Sequence, residues 1–338
     1  MRSQAAGVPT RATQSYVRQV DLGKHPEEYF ARRVNEHQFS EVAELRLLPD
    51  LLRLTLPSLP LKLSLKLLDP VRAITLSGLC LFTIGAVFRY TTSNSAYDLL
   101  MIIPVVAIGA AYALGPQLRW RYWLKHAPDL PVEMAPLLDR FDLYRRLGLE
   151  GKREFRRRTF LLQQRFHFRG EAIEEIPPDV EVMAAASAAT VGFHREDFLL
   201  GDYETVVFYR HFFPTPVHEV LHSSELHPED GAIIWTLTVF LRSCVEPKKY
   251  LHLGLYEYGR AMMNLEPELR AKLDDLALDF PTVARLSGFT EAKLKEYIGL
   301  PELDLTAITL VLYFTHREEM AALRGELLVE MDNLLSMK

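Results

Sequence analysis

Two five-residue frames in this chain carry side chains able to do hydrolytic chemistry. The first is His218-Glu219-Val220-Leu221-His222, a literal His-Glu-x-x-His. On a helix, two imidazoles four residues apart share one face and can hold zinc, with Glu219 as general base. Glu225 and His227 follow as candidates for a third ligand. The flanks oppose a helix. Pro214 and Pro216 lie just upstream, and Ser223, Pro228 and Gly231 follow, which leaves barely two turns. The second frame is Tyr256-Glu257-Tyr258-Gly259-Arg260, which keeps the glutamate but has Tyr256 and Arg260 where the histidines would stand. Here the surroundings favour a helix: Leu251, Leu255, Tyr258, Met262 and Leu265 recur at helical spacing, predicting one from about Lys248 to Asn264. A guanidinium offers no lone pair to a metal. Arg260, three residues after Glu257, is instead placed to neutralise that carboxylate. The plainer reading makes Tyr256 and Arg260 ordinary surface positions.

The elements that must position these frames form an α+β pattern. Strands are predicted at Glu204–Tyr209 and Gly231–Trp235. Helices are predicted over 139–149, 152–168, 180–190, 267–274, 290–297, 304–315 and 318–335. Helices dominate, with a small sheet just before the second frame.

Upstream, the chain changes character. Residues 1–42 are polar, predicting a mobile tail without a cleavable leader. Residues 43–70 alternate leucines with Arg, Lys, Thr and Ser between prolines, which suits an interfacial segment or an arm packed on the domain. Two uncharged runs follow, Ala73–Phe88 and Leu99–Leu118, bounded by Arg72, Arg89, Asp98 and Arg119. Their length and composition predict a transmembrane hairpin over 71–118, with Pro104 kinking the second span. Lys62, Lys66 and Arg72 precede the pair, and Arg119, Arg121 and Lys125 follow, against Arg89 alone in the connector. That asymmetry puts both termini in the cytoplasm, at the inner (cytoplasmic) membrane, with 119–338 as a cytoplasmic domain. A net charge of -5 gives no electrostatic case for direct nucleic-acid binding. Two distant cysteines provide neither a disulfide framework nor a thiolate metal site. The basic run Lys152–Arg158 suits anionic headgroups, a partner, or a solvated helix face.

Over roughly residues 140–335 the chain resembles the Mlc titration factor A family of zinc-dependent peptidases. The resemblance rests on a series of blocks: Arg153–Leu162 (REFRRRTFLL), Ile176–Ala189 (IPPDVEVMAAASAA) with Phe193 and Phe198, Glu204–Phe213 (ETVVFYRHFF), and Glu229–Leu255 leading into the second frame. It implies a zincin-like fold with an active-site helix beneath a sheet edge. Glu257 takes the general-base position; Tyr256 and Arg260 take the two histidine positions. The third ligand position falls on Leu305, or on Asp304 with a one-residue slip. With all three ligands replaced, the resemblance implies a catalytically inactive, binding or regulatory member without a metal cofactor. It also implies a protein partner such as a transcriptional regulator. The alternative is a zinc metallopeptidase in which His218, His222 and Glu225 bind the metal.

Overall fold

The computed structural model describes residues 70–92 and 97–335. The readings for the tail 1–42 and for the leucine-rich segment up to residue 69 lie outside the described residues. Two apolar helices come first, Pro70–Thr92 (α1) and Asp98–Ala113 (α2). They pack antiparallel, with Gly78 against Ile108 and Gly85 against Met101; a Cβ on either glycine would come within 2.9 Å and 3.1 Å of those side chains. Close backbone approach through small residues is how apolar helices associate where no water drives them together.

The outer faces of this pair are bare. Leu76, Leu79, Val87, Ile103 and Val106 are all exposed, a larger apolar surface than a water-soluble domain leaves uncovered. The helix Leu305–Thr315 is comparably apolar, yet ten of its eleven residues are buried in the domain core. α1 is long and apolar enough to cross a membrane; the second span passes only as a bent pair. The single helix predicted over Leu99–Leu118 is therefore corrected. The chain breaks at Leu114 and turns by 76° into a third helix, Gly115–His126 (α3). The cause is Pro116, which has no N–H to continue the ladder and crowds the carbonyl one turn back. Pro104 sits inside α2 without ending it.

The rest of the chain builds the α+β domain. Short helices Ala135–Leu138 (α4) and Asp142–Arg146 (α5) replace the single helix expected over 139–149. Leu149–Arg165 (α6) leads into strand His167–Glu171 (β1), then Pro178–Val191 (α7) crosses to Thr205–Tyr209 (β2). Ser224–His227 (β3) turns through Pro228–Gly231 into Ala232–Thr236 (β4), followed by Leu237–Val245 (α8) and Leu253–Leu265 (α9). The remaining helices are Pro267–Asp275 (α10), Phe280–Ser287 (α11), Glu291–Ile298 (α12), Leu305–Thr315 (α13) and Arg317–Leu335 (α14).

The sheet order is β1-β2-β4-β3. The first three strands are parallel, in register Phe168↔Val206 and Val207↔Ile234. β3 pairs antiparallel with β4 at the edge, Glu225 opposite Ile234. Parallel pairing requires a crossover, which α7 supplies between β1 and β2. The core centres on α9, which packs against α7, α8, α13 and β3. Gly259 lets α13 close in, since a Cβ there would stand 2.9 Å from Leu310.

Candidate functional site

The frame Tyr256–Arg260 lies in the middle of α9. His252 caps that helix, its Nδ1 accepting the Leu255 N–H at 3.3 Å. An imidazole that accepts this bond is unprotonated there, and burial depresses its pKa to about 3. The Ser243 hydroxyl accepts from the Leu253 N–H at 3.1 Å, so two of the first-turn donors are satisfied by side chains.

Tyr256 and Glu257 are not surface positions; they are 2% and 0% exposed. Glu257 has both carboxylate oxygens engaged. Arg260 Nη1 donates to Oε2 at 2.8 Å, and the Ser224 hydroxyl on β3 donates to Oε1 at 2.5 Å. Burial pushes the Glu257 carboxyl above its ordinary value, while Arg260 and Ser224 pull against that rise. Burial likewise opposes the charge on Arg260, but Glu257, Tyr256 and Asp304 more than offset it and hold the guanidinium protonated. Its side chain is 28% exposed, the one member of the frame that reaches solvent. The guanidinium also lies over the Tyr256 ring, 5.6 Å from the centroid.

The Tyr256 hydroxyl accepts the backbone N–H of Asp304 at 3.1 Å, tying α9 to the start of α13. Asp304 caps α13 by accepting from the Ala307 N–H at 3.0 Å, and takes Arg270 Nη1 on its other oxygen at 2.6 Å. Leu305, beside it, is half-buried and brings no donor atom. These residues do not fit zinc, which takes three N, O or S ligands and one open position. Tyr256 is held by a backbone amide, Arg260 is a cation, Leu305 is a hydrocarbon, and Asp304 is already shared between a helix end and Arg270.

The literal frame His218–His222 lies on the loop between β2 and β3, outside any helix. His222 is fully buried there, in an isolated bridge with Phe213 whose ring meets its imidazole edge-on at 4.5 Å. Its Nδ1 is 2.8 Å from the Val220 carbonyl and its Nε2 3.0 Å from Glu225 Oε2. His218 Nε2 is 4.0 Å from Glu225 Oε1 and its side chain is 39% exposed. Burial raises the Glu225 carboxyl, but hydrogen bonds from His222 and Thr215 and the nearby imidazoles bring it below the usual value. The sequence candidates His218, His222 and Glu225 do meet, through a hydrogen-bonded loop. Glu219 is exposed and His227 points toward Asp230, 3.4 Å away. Among the described residues no group of three His, Cys, Asp or Glu side chains is disposed to hold a metal ion.

The two frames approach one another on either side of β3. Ser224 faces Glu257, while Glu225, next along the strand, turns to His222. The loop is braced from outside by Ser223, whose N–H reaches the Ile298 carbonyl at 2.7 Å. Ser224 and the Asp304–Tyr256 link were missed from the sequence. A serine on a four-residue strand gives no periodic signal, and nothing local in the sequence around Asp304 points to a tyrosine 48 residues away. An open cavity of about 490 Å³ lies at the other end of α9, lined by Arg195, Met262, Leu265, Lys272 and Leu335; neither frame lines it. No known protein family, curated protein or solved structure matches this chain.

Proposed function

We propose that the chain is a membrane-anchored relative of the Mlc titration factor A peptidases whose hydrolytic site has been replaced by an internal ion pair. Its domain then acts by binding or regulation. One observation carries this reading: Glu257, fully buried on α9 at the position the resemblance gives to the general base, is bonded to Arg260 at 2.8 Å. A general base must be free to take a proton from water, and this carboxylate is closed off from solvent with both oxygens engaged by Arg260 and Ser224. The zincin-like reading is supported by α9 lying against an antiparallel edge strand on a mixed sheet. The binding role is not one for a surface made of Tyr256 and Glu257, since both are buried. They act as a lock within the domain. A protein partner such as a transcriptional regulator remains the class that the resemblance implies.

The anchor is the α1–α2 pair, read as a hairpin in the inner membrane with both termini cytoplasmic. The exposed apolar faces support it, as does the charge at its two ends. Arg89 at one end is paired with Asp98 at 2.8 Å, while Arg121 and Lys125 at the other are exposed.

The test is the zinc content of the detergent-solubilised full chain by elemental mass spectrometry, together with a peptidase assay. The expected result is no zinc after dialysis against the metal, and no hydrolysis. Near-stoichiometric zinc that is lost in a His218→Ala/His222→Ala variant would overturn the reading in favour of a peptidase built on the loop.

A further inference from the structure

We propose that the outward face of α3 is a docking face for anionic phospholipid headgroups, with the helix lying along the membrane surface. The inference rests on the reading of α1 and α2 as a membrane hairpin. α3 leaves α2 at 76°, so a helix α2 that follows the bilayer normal delivers α3 close to the membrane plane. Its sequence, GPQLRWRYWLKH, holds two arginines, a lysine and three aromatic residues, with no acidic residue.

The helix has two faces with different occupants. One is docked on the domain: Trp123 meets Phe160 edge-on at 5.7 Å, Arg165 covers the Trp120 ring at 5.5 Å, and Arg157 donates to the Leu124 carbonyl at 2.8 Å. The other carries Gln117, Arg121, Leu124 and Lys125, all exposed, with Arg121 four residues after Gln117 and Leu124 and Lys125 three and four after Arg121; exposed Leu114 sits at the break just before it. Neither Arg121 nor Lys125 has an acidic partner among the described residues. Leucines flanked by lysine and arginine suit a boundary where hydrocarbon lies below and phosphate above, because long cationic side chains bury their stems and lift their heads. Near a negatively charged leaflet each such cation favours association about fivefold, and the effect decays within a Debye length. The charge therefore selects anionic over zwitterionic lipid. The far end of the hairpin has no comparable preference, since Asp98 neutralises Arg89.

The native tryptophans provide the experiment. The chain has three; Trp235 is fully buried in the core and provides a constant background, while Trp120 and Trp123 sit on α3. The full chain is reconstituted into phosphatidylcholine–phosphatidylglycerol vesicles in which either lipid, at equal mole fraction, carries brominated acyl chains. Brominated phosphatidylglycerol is expected to quench more strongly than brominated phosphatidylcholine, with the excess lost at high salt and in an Arg121→Gln/Lys125→Gln variant. Equal quenching by the two lipids, in a chain that stays with the vesicles after alkaline carbonate extraction, overturns the inference and leaves the hairpin intact. A chain that carbonate extracts overturns the hairpin reading, and this inference with it.

Discussion

The same frame occurs twice in this chain, once with the right residues in the wrong place and once the reverse. His218–His222 has both histidines and the glutamate, but it lies on a loop with His218 and Glu219 turned toward solvent. Tyr256–Arg260 sits on the central helix, buried and close-packed, with no residue pair left to bind metal. The comparison teaches that a ligand pattern acquires meaning only from the element carrying it. It also shows two ways of burying a glutamate. Glu257 is compensated by a permanently charged arginine, whereas Glu225 is held by a hydrogen bond from a buried imidazole.

The largest expected effect comes from removing the fixed cation. Arg260→Met leaves Glu257 buried without a counter-charge and should cost roughly 3–5 kcal/mol, a fall in apparent Tm on the order of 10 °C. The pH dependence has a definite sign. Glu257 is already raised by burial, and loss of Arg260 raises it further. Its protonated form suits the fold, so the variant should be most stable below the ordinary glutamate pKa and lose stability as pH rises. Thermal melts of the full chain in detergent at pH 5 and pH 8 measure this, and identical melting of wild type and variant would sink the internal-pair argument. Adding Glu257→Met to Arg260→Met should recover most of the loss, because a buried pair exchanged for hydrocarbon is often near neutral.

His222→Phe comes next. It keeps the ring against Phe213 but strands Glu225, with an expected cost of about 3 kcal/mol at neutral pH. Glu225 is held below its ordinary value, so its contribution is present above that value and fades as pH falls through the folded pKa. The acid arm of the wild-type stability profile should accordingly flatten in the variant; an unchanged acid arm would mean the pair is inert. Tyr256→Phe removes one neutral hydrogen bond to the Asp304 amide and should cost about 1 kcal/mol. His218→Ala, half-exposed and 4.0 Å from Glu225, should change stability by less than about 0.5 kcal/mol. A larger loss there would show that the loop frame is held together as a unit, which would reopen its case as a ligand site.

Much of the fold was legible where a pattern repeats. The apolar spans stood out by their lack of charge, and α9 showed its period through Leu251, Leu255, Tyr258 and Met262. β2 and β4 announced themselves as TVVFY and AIIWT. β1 did not. HFRGE is a largely exposed edge strand whose conformation is decided by pairing with β2, so local propensity is silent. The Gly115-Pro116 dipeptide did mark the break in the second span, but a count of apolar residues runs straight across it. At the site, the apolar stripe of α9 leaves Tyr256 and Arg260 on its other side, as ordinary surface positions. In fact β3 and α13 cover that side too, and a buried ion pair takes the place of solvent. No periodicity distinguishes a glutamate facing water from one facing a serine on a neighbouring strand.

The docking of α3 on α6 has a mechanical consequence. Arg165, which covers Trp120, also bonds Glu204 at 2.6 Å, and the Glu204 carbonyl takes the N–H of His167 at 2.7 Å, at the start of β1. α3 is thus joined to the strand ends through side chains, in parallel with the chain that runs through 127–148. On the reading of α3 as a membrane-surface helix, any tilt of α3 reaches the starts of the first two strands by this side-chain route as well as along the backbone.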